Sequence, residues 1–274
     1  MQKSGKAVRE MGSSLKGLRT LLTELKLKHV ASRLEDVLLE DHCADKSHME
    51  FLESFLSVEV EHRRAAATEV RLRHAGFPSF DKPLKLDGFD FAKRQGITKR
   101  QIVELTGNFL WIDKAYNILF FGGSGLGKSF LACYIGMKAI EAGYNVIFMT
   151  MNSLAHLLKT EEMLSRSRNK MKRLRNCDLL IIDEVASTVL ERQEVSRLYQ
   201  LLYETYQDTS LIVTANKGFE DWGSALGDRV VTAAVMDRLI HRCEMFNIEG
   251  ESWRLEDQRS ILGNLLKGDD TNAG

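Results

Sequence analysis

The run Gly122-Gly123-Ser124-Gly125-Leu126-Gly127-Lys128-Ser129 fits the phosphate-loop pattern GxxxxGK[ST] without a mismatch. Its glycines let the chain wind so that successive N–H groups point at an anion, an approach that side chains would obstruct. The flanks supply the context such a loop needs. Ile118-Leu119-Phe120-Phe121 lead in as an apolar strand, and Phe130-Leu131-Ala132 lead out as the start of a helix. The dipole at that helix N-terminus adds attraction for phosphate. Lys128 is then placed to reach the β- and γ-phosphates of a nucleotide, and the Ser129 hydroxyl to ligate magnesium.

Outward from the loop, short apolar runs alternate with helical stretches. The runs are 117–121, 145–150, 178–183, 210–215 and 244–248, and several are apolar on consecutive residues, as in strands buried on both faces. Such alternation predicts an α/β fold with a central parallel sheet flanked by helices. The third run, Leu179-Leu180-Ile181-Ile182-Asp183-Glu184, delivers two carboxylates 55 positions after Lys128. Asp183 suits the magnesium, and Glu184 suits the orientation and deprotonation of a water, which favours hydrolysis over transfer to an organic acceptor. The fourth run ends in Thr214-Ala215-Asn216, where an asparagine can reach the γ-phosphate.

The N-terminal part reads differently. Apolar residues recur with helical spacing from Leu15, behind Ser14 as a plausible N-cap, and Ser47-His48-Met49-Glu50 is a capping-box pattern for a helix reaching His74. Residues 1–13 read as a flexible tail, 14–75 as a helical domain, and 76–100 as a linker holding Pro78, Pro83, Gly88 and Gly96. The nucleotide-binding domain then spans 101–260, followed by a tail over 261–274.

The 274-residue chain carries 38 basic and 38 acidic side chains, so its formal net charge is zero. Hydrophobic residues make up 44% and charged ones 28%, which excludes wholesale disorder. Cys43, Cys133, Cys177 and Cys243 form no CxxC pair and read as reduced thiols, and the scattered histidines form no HExxH. No run is long enough to span a membrane and no signal-peptide pattern opens the chain, so a cytoplasmic protein is expected.

Taken together, the phosphate loop, the Asp-Glu strand and the Thr-Ala-Asn strand resemble an AAA+ ATPase. The stretch from Leu15 to Leu255 more narrowly resembles the IstB transposition helper ATPases, close to the DnaC helicase loaders. The matches are "FLESFLSVEVEHRR", "RLRHAGFPSF", "GFDF", "AGYNVIFMT", "DLLIIDE", "NKGFEDWGSALGD", "AAVMDRLIHR" and "NIEGESWRL". The departures are Gly-Gly-Ser where the family commonly has a proline pair, Ser129 for threonine, and "DEVASTVL" after the strand. The resemblance implies Mg-ATP as cofactor, Asn216 as the γ-phosphate sensor, and Arg238 as the arginine given to a neighbouring subunit, with Arg242 and Arg229 as alternatives. Phe89 and Phe91 are candidates to flank the adenine.

Residues 163–177 hold Arg166, Arg168, Lys170, Lys172, Arg173 and Arg175 and no acid. A run of this kind is either a solvated helix face or a track for a phosphate backbone. The resemblance puts it near the inner surface of an oligomer and so favours duplex DNA; Arg63, Arg64, Arg71 and Arg73 form a second candidate patch. The expectation is an ATP-dependent DNA-binding ATPase that oligomerises and assists a cognate transposase. The alternatives are a DnaC-like loader of a replicative helicase, a P-loop kinase for a small metabolite, and a nucleotide-gated scaffold.

Overall fold

The computed structural model describes residues 14–42, 47–80, 83–226 and 229–253, with the side chains of 40–42, 186, 220, 224–226 and 229 outside that description. The chain divides into two compact units, Met1–Val70 and Arg71–Gly274.

In the first unit, helix α1 (residues 14–24), α2 (Lys28–Ser32), α3 (Leu34–His42) and the larger part of α4 (His48–Ala75) surround a small core. Leu22, Val30, Ala31, Leu34, Val37 and Phe55 are its buried members. The expected capping box opens α4: the Ser47 N–H donates to Glu50 Oε2 at 2.7 Å, and the Glu50 N–H to Ser47 Oγ at 3.3 Å. Ser14 is already helical, and the residue before it lies outside the described residues. Glu59 is the buried charge of this unit. Its Oε2 accepts from the N–H groups of His29 and Val30 at 2.9 and 3.0 Å, and its Oε1 from Arg63 Nε at 2.9 Å. Those two N–H groups start the short helix α2 and have no partner within it, so Glu59 serves as a cap from a distant helix. Leu18 and Leu21 of α1 and Leu25 just after it are exposed.

The second unit is built on five parallel strands: β1 (Asn117–Phe121), β2 (Val146–Thr150), β3 (Leu179–Asp183), β4 (Ser210–Ala215) and β5 (Cys243–Asn247). Their order in the sheet is β2-β3-β4-β1-β5. The consecutive apolar residues feed two cores in alternation. Leu119, Leu180 and Ile182 face one cluster, with α8 (Met151–Thr160), α9 (Ser165–Leu174), α10 (Arg192–Thr205), α11 (Phe219–Leu226) and α12 (Arg229–Ile240). Ile118, Phe120, Leu179 and Ile181 face the other, with α5 (Lys99–Gly107), α6 (Leu110–Asp113) and α7 (Lys128–Glu141). A strand sandwiched this way has no solvent face, which is why its sequence shows no polar alternation.

Residues 76–100 differ from the linker reading. Leu86 and Ile97 are buried in the α7 side of the core, and Phe77, Phe80, Leu84, Phe89 and Phe91 pack against it. A two-residue antiparallel ladder ties Arg94–Gln95 to Glu249–Gly250. The compact unit accordingly begins at Arg71. Cys133 and Cys177 are buried, and burial pushes the Cys177 thiol up to about 12. Cys43, the 1–13 tail and the 261–274 tail lie outside the described residues. Among the described residues no helix is long and apolar enough to cross a membrane.

Candidate functional site

The phosphate loop leaves the C-terminal end of β1 and enters α7, with Gly127 as N-cap in the left-handed region at φ +86. A Cβ at Gly127 would stand 2.6 Å from the Phe89 ring, so an alanine there meets both strain and a clash. Lys128 opens the helix; its Nζ donates to the carbonyls of Gly122 and Gly123, each at 2.7 Å. The ammonium therefore lies inside the curl of the loop.

Asp183 ends β3, beside Thr214 near the end of β4, because these strands are adjacent with Ile182 opposite Val213. Asp183 is buried, and its Oδ1 accepts from Ser129 Oγ at 2.7 Å and from Thr214 Oγ1. The same Thr214 hydroxyl accepts the Glu184 N–H at 3.0 Å. One threonine thus fixes both carboxylate-bearing residues. Glu184 adopts φ 59 and ψ 47, a left-handed conformation costing a non-glycine residue about 1–2 kcal/mol. Ser187 holds it there, donating to the Glu184 carbonyl from its N–H at 3.0 Å and its Oγ at 2.7 Å. In this turn the Glu184 side chain is exposed, while Asp183 stays buried.

These groups line one cavity of about 540 Å³, with Ser124 to Phe130, Asp183, Glu184, Thr214 and Asn216 on its walls. That volume falls within the range of small-molecule and cofactor sites. Phe80 and Phe89 contribute aromatic walls, whereas Phe91 does not line the cavity and packs on Phe89 in a tilted pair with ring centroids 4.6 Å apart. The Ser129 hydroxyl and the Asp183 carboxylate present two hard oxygen donors in contact at the cavity wall, a set that fits magnesium. Among the described residues no cluster of three His, Cys, Asp or Glu suggests any other metal centre.

Three further wall residues were not singled out from the sequence. Thr214 lay inside a recognised strand, but its role depends on a neighbour 31 positions away. Trp253, whose N–H donates to the Gly125 carbonyl at 2.9 Å, closes on the loop from the "NIEGESWRL" motif. Arg94 is buried and lines the cavity from the segment read as a linker, where a lone arginine carries no signal.

Arg238 lies at the opposite end of the sheet. Asn117, the first residue of β1, donates through Nδ2 to the Arg238 and Leu239 carbonyls at 3.4 and 3.1 Å, and its N–H reaches the Arg242 carbonyl at 2.8 Å. The phosphate loop follows the last residue of that strand, roughly 16 Å away. Neither arginine is placed to serve its own chain's site. The Arg238 guanidinium is held over the rings of Tyr203, Tyr206 and Tyr199 at 4.6, 5.0 and 5.8 Å. Arg242 is exposed at φ 54, and the Arg229 side chain lies outside the described residues.

The basic run forms α9, whose Ser167, Met171 and Leu174 are buried while Arg166, Arg168, Lys170, Lys172 and Arg173 are exposed. Arg175 differs from the rest of the stripe: it bridges Glu161 and Glu204 at 2.7 and 2.6 Å and is committed to holding α10.

A family model described as "IstB-like ATP binding protein" matches residues 20–261. The ATP-binding protein of insertion sequence IS21 from Pseudomonas aeruginosa is 34% identical over 88% of this chain and 90% of its own length. An IS21-like ATP-binding protein from Bacteroides fragilis is also 34% identical, with the same two shares. The corresponding protein of IS5376 from Geobacillus stearothermophilus is 34% identical over 78% of this chain and 83% of its own. A crystal structure of the DnaC helicase loader gives a TM-score of 0.47 at 18% identity, covering 68% of this chain and 99% of that one.

Proposed function

The chain belongs to the IstB-like ATP-binding family, and we propose that it is an ATPase of the AAA+ P-loop class that binds Mg-ATP at the phosphate-loop cavity, assembles on duplex DNA, and hydrolyses ATP while assisting a transposase. The observation that carries the hydrolytic step is Glu184 on the cavity wall beside a buried Asp183. In this reading Lys128 and the loop N–H groups hold the β- and γ-phosphates. Ser129 and Asp183 hold magnesium, which when bound neutralises charge on the phosphate oxygens. Glu184 takes a proton from a water whose oxygen attacks the γ-phosphorus. The bond from that phosphorus to the β–γ bridging oxygen breaks, and ADP and phosphate leave. Asn216 contacts the γ-phosphate from the end of β4. Phe80 and Phe89 supply the apolar wall for the base.

Arg238 then completes a neighbouring copy's site, where a guanidinium stabilises the charge spreading over the γ-phosphoryl oxygens. Its distance from its own phosphate loop supports action in trans. The exposed leucines of α1 support self-association through the N-terminal helices. The exposed bases of α9 support contact with a phosphate backbone, and the insertion-sequence names of the relatives support a transposase as partner.

The test is Glu184→Gln, which keeps the size and hydrogen-bonding capacity of the side chain and removes its basicity. ATP turnover is expected to fall by about 100-fold or more with nucleotide affinity retained. Turnover within a few-fold of the unaltered protein would remove Glu184 from the role of base.

A further inference from the structure

A second cavity, of about 230 Å³, lies away from the nucleotide site, at the N-terminal ends of β2 and β3. Arg71 and His74 from the last turns of α4, Arg173 at the end of α9, and Asn145 and Asn176 are its polar lining residues. No carboxylate lines it. The adjoining acid, Asp178, spends its Oδ2 on the Asn145 N–H at 2.7 Å and on Asn145 Nδ2 at 3.1 Å. Arg173 Nη2 donates to the His74 carbonyl at 3.2 Å, which joins the two helix ends and leaves the other guanidinium N–H groups of Arg173 available. Arg71 is half-buried, and among the described residues no carboxylate pairs with it.

Two guanidinium groups and an imidazole around a recess without a counter-charge favour an anion, and planar guanidinium forks match phosphate oxygens in particular. The recess is smaller than the roughly 300–1,000 Å³ of small-molecule pockets, which suits a phosphate group better than a whole nucleotide. It also continues a line. Arg166, Lys170 and Arg173 follow i, i+4, i+7 spacing along one face of α9, so the stripe runs into the cavity at its C-terminal end. The two basic patches of the sequence thus meet here, through Arg71 and Arg173.

We propose that this cavity seats one backbone phosphate of a bound nucleic acid, as the end contact of the Arg166–Lys170–Arg173 line. The assignment rests on the DNA-binding reading above. Such a contact gives affinity and register without reading sequence.

The experiment uses the full chain with a non-hydrolysable ATP analogue and a fluorescent duplex, followed by anisotropy across a salt series. The double variant Arg71→Gln/Arg173→Gln is expected to bind about tenfold or more weakly, with a salt slope shallower by about one to two. Its nucleotide affinity and thermal midpoint should match the unaltered chain, and Arg71→Lys/Arg173→Lys should recover part of the DNA affinity. Equal affinity and slope in the Gln variant would overturn the cavity assignment while leaving the DNA reading standing. Failure of the unaltered chain to bind duplex would overturn both. Stabilisation by inorganic phosphate that the Gln variant loses, with DNA affinity unchanged, would give the cavity to free phosphate and refute the nucleic-acid assignment.

Discussion

Asp183 and Glu184 are adjacent in sequence but live in different surroundings, and Thr214 is the side chain that separates them. Its hydroxyl donates to Asp183 and accepts the Glu184 N–H, so the buried carboxylate is anchored as the next residue turns out of the sheet. Thr214→Val keeps the shape and removes both hydrogen bonds. Its kcat for ATP hydrolysis should fall about 10–100-fold with KM little changed, as for other outer-shell supports of a reacting group, and Thr214→Ser should recover most of the loss. Steady-state kinetics of the three proteins decide this; an unchanged kcat in the valine variant would contradict the positioning role. The phosphate loop, Asp183, Glu184 and Asn216 were legible because each sits in a local pattern of glycines or of apolar residues ending in a polar one. Thr214, Arg94 and Trp253 act through contacts with residues distant in sequence, and no local pattern records such contacts.

At the scale of elements, the strands announced themselves because burial on both faces forces consecutive apolar residues. Residues 76–100 did not, since their aromatic and aliphatic anchors follow neither a helical nor a strand period and lie between prolines and glycines. The described residues of this segment pack on the core through Leu86, Ile97 and several aromatics, and Phe89 lies against Gly127. In the N-terminal unit the small helix α2 depends on Glu59. Burial alone would raise that carboxyl, but the N–H groups of Val30 and His29 together with Arg63 outweigh it and hold it below its ordinary value of 4.5. A depressed folded pKa contributes stability that is complete above the unfolded value and drains away as the pH falls through the folded one. The thermal midpoint of this unit should therefore drop as acid is added below about pH 4.5, and Glu59→Gln should flatten that limb. A variant with the same acid limb as the unaltered chain would show that Glu59 is not the titrating support.

For the whole molecule, zero net charge conceals an uneven distribution, with five exposed bases and no acid on α9. On the proposed function a lone copy would have modest attraction for DNA, and alignment of several copies would multiply it. The proposed function extends the same assembly logic to the chemistry, because Arg238 stands a strand's length from its own phosphate loop and would act on a neighbour's ATP. Mixing two inactive variants tests this directly. Glu184→Gln copies keep the arginine and lose the base, while Arg238→Ala copies keep the base and lose the arginine. Each alone should hydrolyse ATP at a small fraction of the normal rate. Combined in equal amounts with duplex DNA they should recover roughly a quarter of it, since a random head-to-tail interface pairs an intact base with an intact arginine about one time in four. A mixture as inactive as its components, or Arg238→Ala copies fully active on their own, would contradict the account.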